Sequence, residues 1–182
     1  KPYIGTAEVP FWEDLQRILE LPANVDELLR ARTEEYLRLL HTASIEPLPG
    51  VLDLLHWARG LQLPIAVASS SPRDQIRGSL TAAGLADLIP IRRSGHEDVA
   101  VGRGKPHGDV YQVAARALGV DPTMCIAVED SVTGMRSAVD AGCFVICVPN
   151  ASFPPKETHH AHLVLDSMKD VLQLARGLTA EG

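Results

Sequence analysis

The sequence predicts an α/β fold with a parallel sheet, preceded by a small helical segment. Two observations carry this prediction. After Gly50, short apolar stretches alternate with segments of helical spacing, which is typical of successive strand–helix units. The apolar stretches are nearly continuous, and strands of that kind are usually buried on both faces. A parallel sheet with helices on both sides accounts for both observations.

Residues 1–45 contain helical patterns only. Asn24 and Glu27 have the spacing of a capping box, with Asn in place of the usual Ser or Thr. Apolar residues then recur at helical intervals over residues 25–40. A proline- and glycine-containing stretch, residues 46–50, marks a change of organisation. We therefore expect a helical unit over residues 1–46 and an α/β unit over residues 47–182.

The α/β unit is predicted to begin with a helix, and strands and helices then follow in turn. Pro72 suits the first turn of a helix capped by Ser71, and Gly142 suits a helix end. The predicted elements, in order, are a helix over 51–59, a strand over 64–68, the helix from Pro72, a strand over 88–91, a helix opening at Pro106, a strand over 124–128, a helix over 132–141, a strand over 143–148, a strand over 163–165 and a helix over 168–175.

Composition excludes some classes of partner. The 182 residues are 46% hydrophobic and 22% charged, with a formal net charge of −6. Because no basic run is present, we expect neither nucleic acid nor a membrane surface as a partner. The apolar runs are far too short to span a bilayer. Cys125, Cys143 and Cys147 are odd in number and lie inside the predicted apolar strands, so we expect buried, reduced thiols and a cytoplasmic protein.

Polar side chains follow three of the predicted strands. Because ligands of open α/β sheets bind at the carboxyl ends of strands, these side chains should gather around one crevice. A hydroxyl, an ammonium and paired carboxylates are what a phosphate and its magnesium ion require. Serine clusters also occur as caps and turns, and a lone lysine is usually solvated, so each signal is weak alone. The candidates are Ser69, Ser70, Ser71, Lys105, Glu129 and Asp130.

The acidic pair allows two interpretations. Adjacent carboxylates after a buried strand repel each other unless they point apart or share a cation. In one interpretation Asp130 merely caps the next helix and Glu129 points outward. In the other, Asp130 binds Mg²⁺ directly and Glu129 supports it through a water molecule.

Taken together, residues 68–72 (ASSSP), 104–107 (GKPH) and 128–134 (VEDSVTG) resemble the second, third and fourth motifs of the haloacid dehalogenase-like hydrolase superfamily. The resemblance covers essentially the whole chain and is to the branch with a helical cap. It implies a three-layer, Rossmann-like core with a partial cap over residues 1–46. It also implies that Ser69 and Lys105 are catalytic, that Ser70 and Ser71 bind substrate, and that Asp130 and Glu129 hold Mg²⁺.

The first motif of that superfamily, Asp-x-Asp-Gly-Thr on the opening strand, is not found in the sequence. Asp166 follows an apolar run, but no acidic residue stands two positions later, and the segment matches the closing strand instead. The chain begins with Lys1 rather than methionine. We therefore expect the nucleophilic aspartate to lie upstream of Lys1 or on another chain, and the 182 residues alone to be inactive.

The resemblance implies a magnesium-dependent phosphatase acting on a small phosphorylated metabolite, such as a sugar or polyol phosphate, through an aspartyl-phosphate. Two alternatives stay open: a β-phosphoglucomutase-like phosphoryl transfer, and a non-catalytic module that binds phosphorylated ligands. A dinucleotide-binding domain is disfavoured because no Gly-x-Gly-x-x-Gly follows a strand. The paired acidic residues also disfavour a metal-free dehalogenase. Substrate identity and oligomeric state are not predicted.

Three histidines near the end of the chain suggest a second metal site. His159, His160 and His162 lie in a polar segment between predicted strands. We expect a solvated loop here, because no carboxylate or cysteine is predicted to complete a ligand set.

Overall fold

The computed structural model describes residues 8–20, 22, 24–42, 45–98, 100–150 and 157–180. Helices and strands alternate after the first two helices, as predicted. In chain order the elements are α1 (Glu8–Leu19), α2 (Val25–Thr42), α3 (Val51–Gly60), β1 (Ala66–Ser69), α4 (Arg73–Ala82), β2 (Ile91–Ser94), α5 (Asp109–Leu118), a 3₁₀ turn (Pro122–Met124), β3 (Ile126–Glu129), α6 (Val132–Asp140), β4 (Phe144–Cys147), β5 (Leu163–Val164) and α7 (Met168–Ala180).

The start of α2 confirms the predicted capping box. The backbone N–H of Glu27 donates to Asn24 Oδ1 at 2.9 Å, and the backbone N–H of Asn24 donates to Glu27 Oε2 at 3.0 Å. Two amides that the helix itself cannot satisfy are thereby paired. α2 then packs against both α1 and α4, so the helical segment is attached to the α/β part through α4.

All strand pairs are parallel, as predicted, but they form two sheets. β1 pairs with β2, with Ala66 opposite Ile91 and Ser69 opposite Ser94. β3 pairs with β4, and β4 pairs with β5. Among the strands that the structure describes, β1 and β3 therefore have one neighbour each. α5 contacts β1 and β2 and also packs against α6, which covers β3 and β4.

β3 departs from the expectation that every strand is buried on both faces. Ala127 is buried in a cluster with Met135 of α6. The alternate side chains, Ile126 and Val128, point to the other face and are 60% and 36% exposed. The residues described here cover only one face of this strand.

Two predicted elements are displaced along the chain. Leu88 and Ile89, placed in a strand over 88–91, instead belong to the turn after α4, where Ile89 is buried beside Leu80 and Leu85. β2 begins at Ile91, because its backbone follows the register set by β1. The helix predicted to open at Pro106 begins at Asp109. Within the described residues, no helix combines the length and the apolar character needed to cross a bilayer.

Candidate functional site

A buried ion pair joins the predicted third and fourth motifs. Lys105 precedes α5, and Glu129 is the last residue of β3. Lys105 Nζ lies 2.5 Å from Glu129 Oε1, and the two side chains are only 8% and 9% exposed. Burying either charge alone would be costly, so each requires the other. The structure thus brings together two residues that the sequence analysis placed in one site.

Tyr111 of α5 is a third member of this cluster, and the sequence analysis missed it. Its hydroxyl donates to Glu129 Oε1, the same oxygen that Lys105 contacts. Lys105 Nζ lies 3.5 Å from the Tyr111 hydroxyl and 5.0 Å from the centre of its ring. Burial, and then the nearby Glu129 carboxylate, raise the pKa of Tyr111 well above its ordinary value. The hydroxyl therefore stays protonated and acts as a donor.

The second oxygen of Glu129 is held by the start of α6. Ser131 Oγ donates to Glu129 Oε2 at 3.3 Å and accepts the backbone N–H of Gly134 at 3.1 Å. Ser131 is thereby the N-cap of α6. The interpretation in which Asp130 caps this helix is wrong, because Ser131 fills that role. The serine and the glycine both stand in the motif string, but sequence did not indicate how they hold Glu129.

Asp130 follows β3 directly and is exposed, in contrast to Glu129. Its negative charge contributes to the raised pKa of Tyr111 and of the Cys147 thiol. The cluster contains two carboxylates and one ammonium. Because Lys105 already balances Glu129, the charge of Asp130 is available to a cation. Carboxylate oxygens are the ligands Mg²⁺ prefers, so this donor set fits such an ion.

The serine segment lies at the carboxyl end of the other sheet. Ser69 is the last residue of β1, and its Oγ accepts the backbone N–H of Ser71 at 3.1 Å. Its hydroxyl proton is therefore free for another acceptor. Ser70 and Ser71 are partly buried. The backbone N–H of Ser71 is thus already bound to Ser69.

The helix after these serines is not capped as predicted. Pro72 is the N-cap of α4, and no side chain of the cap residue bonds to the helix. The backbone N–H of Arg73 instead donates to Glu97 Oε2 at 3.0 Å, from the loop after β2. The carbonyl of Ser71 accepts the hydroxyl of fully buried Ser94 at 2.8 Å. Contacts distant in sequence, which no local pattern encodes, therefore hold this turn.

The histidine segment contains a carboxylate that the sequence analysis did not expect there. One ligand atom each from Glu157, His159 and His160 lie within 4.8 Å of one another. His162 is separate, since its Nδ1 accepts the backbone N–H of Val145. Arg136 Nε donates to His160 Nε2 at 2.9 Å, so the nitrogen of that histidine facing the group is already occupied. His160 thus makes a polar contact with Arg136.

The three cysteines are free, as expected. Cys143 and Cys147 are buried, as expected, but Cys125 is partly exposed, because it precedes β3 instead of lying within it. Burial raises the pKa of the Cys143 thiol to about 11 and, with the charge of Asp130, raises that of Cys147.

The sequence and the fold have counterparts in known proteins. A model of the haloacid dehalogenase-like hydrolases matches residues 3–142. The chain therefore belongs to the haloacid dehalogenase-like hydrolase family. This match confirms the resemblance found in the motifs at Ser69, Lys105 and Asp130.

Several relatives within the family are phosphatases. The chain is 36% identical over 149 residues to the putative phosphatase YhcW of Bacillus subtilis (strain 168), covering 81% of this chain and 65% of YhcW. It is 33% identical over 137 residues to hexitol phosphatase A of Escherichia coli (strain K12), covering 75% and 61%. The chain thus spans less than two thirds of the length of either relative.

Solved structures confirm the α/β fold. CbbY from Rhodobacter sphaeroides in complex with phosphate superposes with a TM-score of 0.77 at 28% identity, covering 83% of this chain and 67% of CbbY. β-Phosphoglucomutase (pgmB) from Clostridium difficile superposes with a TM-score of 0.75, covering 97% of this chain and 78% of that one. At 23% identity, the second likeness concerns the fold alone.

Proposed function

We propose that the protein containing these residues is a magnesium-dependent phosphatase acting on a small phosphorylated metabolite, a sugar or polyol phosphate. The observation that carries this proposal is the buried Lys105–Glu129 pair beside exposed Asp130. The relatives support the substrate class, since hexitol phosphatase A is named for a polyol phosphate and CbbY was crystallised with phosphate.

Each side chain has a role that follows from its contacts. Lys105 donates one N–H to Glu129 and a second, at 3.5 Å, to the Tyr111 hydroxyl, which leaves the third N–H of its ammonium for a phosphoryl oxygen. The Ser69 hydroxyl accepts from Ser71 and retains its own proton to donate to the same group. Both contacts would become stronger as charge develops on the transferring phosphoryl group. Ser70 and Ser71 would line the substrate side of this turn.

We assign Asp130 as a direct ligand of Mg²⁺, and Glu129 as a second carboxylate that supports the ion through a water molecule. The exposed Asp130 carboxylate is placed to take the ion, whereas the Glu129 oxygens are already occupied by Lys105, Tyr111 and Ser131. When bound, the ion would shield the negative charge of the substrate phosphate from an approaching carboxylate nucleophile.

The nucleophile would come from a strand that lies between β1 and β3 and precedes Lys1 in the full protein. β1 and β3 each have one described neighbour, and Ile126 and Val128 of β3 are exposed. An aspartate on that strand would attack phosphorus, forming an acyl-phosphate bond while the bond to the sugar oxygen breaks, and the second aspartate of the Asp-x-Asp-Gly-Thr motif would protonate that oxygen. Water would then cleave the acyl-phosphate, releasing inorganic phosphate and regenerating the carboxylate.

We also propose that residues 1–46 belong to a cap that selects the substrate, with 47–182 forming the core. The attachment of α2 to α4, directly after the serine turn, supports this division. Closure of such a cap would exclude water during the first transfer. The free thiols of Cys143 and Cys147 are compatible with a reducing, cytoplasmic compartment.

The test uses the full-length protein with its opening strand. Phosphate release would be measured on hexose, pentose and hexitol phosphates with Mg²⁺ and with EDTA. We expect Mg²⁺-dependent release that Asp130→Asn abolishes and that Lys105→Ala lowers about 100-fold or more. Asp87→Asn and Lys169→Ala, which change exposed residues of the same types, should leave the rate unchanged.

Three results would contradict the proposal. Metal-stimulated turnover in Asp130→Asn would remove Asp130 from the site. Conversion of a hexose 1-phosphate into its 6-phosphate isomer, without free phosphate, would favour the mutase. Tight binding of phosphorylated ligands with no turnover in the presence of Mg²⁺ would favour the binding module.

A further inference from the structure

We propose that Tyr111 is a positioning residue of this site, whose hydroxyl holds the Glu129 carboxylate in place for Lys105 and for the cation beside Asp130. The inference rests on the proposed function, and it concerns a residue that lies outside the three sequence motifs. Tyr111 stands on α5, six residues after Lys105.

Glu129 Oε1 accepts two hydrogen bonds from different side chains. This single oxygen receives both the Tyr111 hydroxyl and the Lys105 ammonium, which are themselves 3.5 Å apart. A carboxylate with only the lysine could rotate and carry the ammonium with it. The second donor, from a different direction, removes that freedom, because both lone-pair directions of one oxygen are then used.

The Tyr111 ring is packed against the core. The ring lies against the buried cluster formed by β3, β4 and α6, which includes Ala127 and Met135. Packing of this kind restricts a side chain to one rotamer. The hydroxyl position is therefore set by the core rather than by Glu129, so Tyr111 can direct the carboxylate instead of following it.

The remaining contacts of Glu129 complete the same arrangement. Ser131 Oγ holds the other carboxylate oxygen, and Gly134 leaves the space that the carboxylate needs. Glu129 is thus held on both oxygens, facing inward, while its neighbour Asp130 faces outward. Removing the hydrogen-bonding partners of a metal ligand commonly changes metal affinity or activity about 10-fold to 100-fold. Tyr111 acts one contact further out, through Glu129, so we expect an effect at the lower end of that range.

The test is Tyr111→Phe in the full-length enzyme, a change that keeps the ring and removes only the hydroxyl. We expect the Mg²⁺ concentration for half-maximal rate to rise about 10-fold and kcat at saturating Mg²⁺ to fall about 10-fold. KM for p-nitrophenyl phosphate at saturating Mg²⁺ should change less than about 2-fold, since Tyr111 does not touch the substrate.

The matched control is Tyr36→Phe. Tyr36 is also partly buried, and its hydroxyl shares a 2.9 Å hydrogen bond with Ser79 Oγ between α2 and α4. Both variants lose one hydrogen-bonded tyrosine hydroxyl, so both should lower the melting temperature by similar amounts. Only Tyr111→Phe should change the Mg²⁺ dependence. If its Mg²⁺ dependence equals that of Tyr36→Phe, Tyr111 is merely structural and the inference is overturned.

Calorimetric titration with Mg²⁺ alone separates this inference from the proposed function. An active wild-type enzyme with unchanged Mg²⁺ affinity in Tyr111→Phe would overturn the positioning role and leave the phosphatase standing. An inactive wild-type protein whose Mg²⁺ affinity falls about 10-fold in the variant would overturn the phosphatase and support the positioning role. A wild-type protein that neither binds Mg²⁺ nor releases phosphate would overturn both.

Discussion

Gly134 is a glycine because the carboxylate of Glu129 occupies the space where a side chain at position 134 would begin. A Cβ built on Gly134 would overlap all three terminal atoms of Glu129, namely Cδ and both oxygens. Gly134 lies in the first turn of α6, with its N–H on Ser131 Oγ. The end of β3 and the start of α6 can therefore pack this closely only because residue 134 has no side chain.

Gly134→Ala should destabilise the protein, although alanine favours a helix over glycine by about 1 kcal/mol. The overlap with Glu129 should dominate and cost about 1–3 kcal/mol in the free energy of unfolding. Urea denaturation measures the loss. The matched control is Gly177→Ala in α7, where a Cβ meets nothing within 4 Å. The control should gain up to about 1 kcal/mol, and equal gains in both variants would refute the overlap.

Gln75 should be important for the attachment of α2 to α4. Its side chain is 2% exposed; it accepts from Arg32 at 3.0 Å and donates to Thr33 Oγ1 at 3.1 Å. Gln75→Ala removes both bonds from a buried interface and should cost about 1–3 kcal/mol of unfolding free energy. Gln173→Ala, at an exposed position of α7, should cost under about 0.5 kcal/mol. A Gln75→Ala variant as stable as this control would show that the amide contributes nothing there.

Asp98 should make stability depend on pH. Burial acts to raise the pKa of Asp98, but the hydrogen bond from Arg73 and the Ser94 backbone N–H oppose it, and the net pKa lies below the ordinary 3.8. A depressed pKa contributes stability that is present above the unfolded value and is lost as pH falls through the folded value.

Unfolding of wild type and Asp98→Asn, compared at several pH values, measures this contribution. The variant should be less stable at pH 7 by about 1 kcal/mol, and the difference should shrink as pH falls below 4. Asp87→Asn, which changes an exposed carboxylate, should show no such convergence. A difference between wild type and Asp98→Asn that stays constant down to pH 2.5 would contradict the assignment.

The thiols should differ in reactivity according to burial. Burial raises the pKa of Cys143 to about 11, and Cys147 is fully buried, whereas Cys125 is partly exposed. At pH 8 iodoacetamide should therefore modify Cys125 first and spare the other two, because the thiolate is the reactive form. All three should react in guanidinium chloride. Mass spectrometry of tryptic peptides identifies the sites, and rapid modification of Cys143 in the native protein would contradict its burial.

Sequence located the polar segments because each one follows an apolar run. Ser69 and Glu129 are the last residues of β1 and β3, and Lys105 lies just before α5. The capping box at Asn24 was also visible, since both of its residues lie within one helical turn. Apolar periodicity and local capping depend on neighbouring residues, and for that reason they can be recognised in a single sequence.

The sequence did not predict those features that depend on residues distant in the chain. β2 begins at Ile91 rather than Leu88 because β1 sets its register, and the helix after Ser71 takes its cap from Glu97. In both cases the contact that sets the geometry forms only when the chain is folded.

The amino-acid sequence by itself determined the α/β class, the order of elements and the family, because these depend on periodicity and on short motifs. Only the tertiary structure decided that Glu129 turns inward to Lys105 and Tyr111 while Asp130 faces outward. Two adjacent carboxylates are equivalent in a motif. They become different when the packing of α5 and α6 places an ammonium and a phenol beside one of them and leaves the other exposed to solvent.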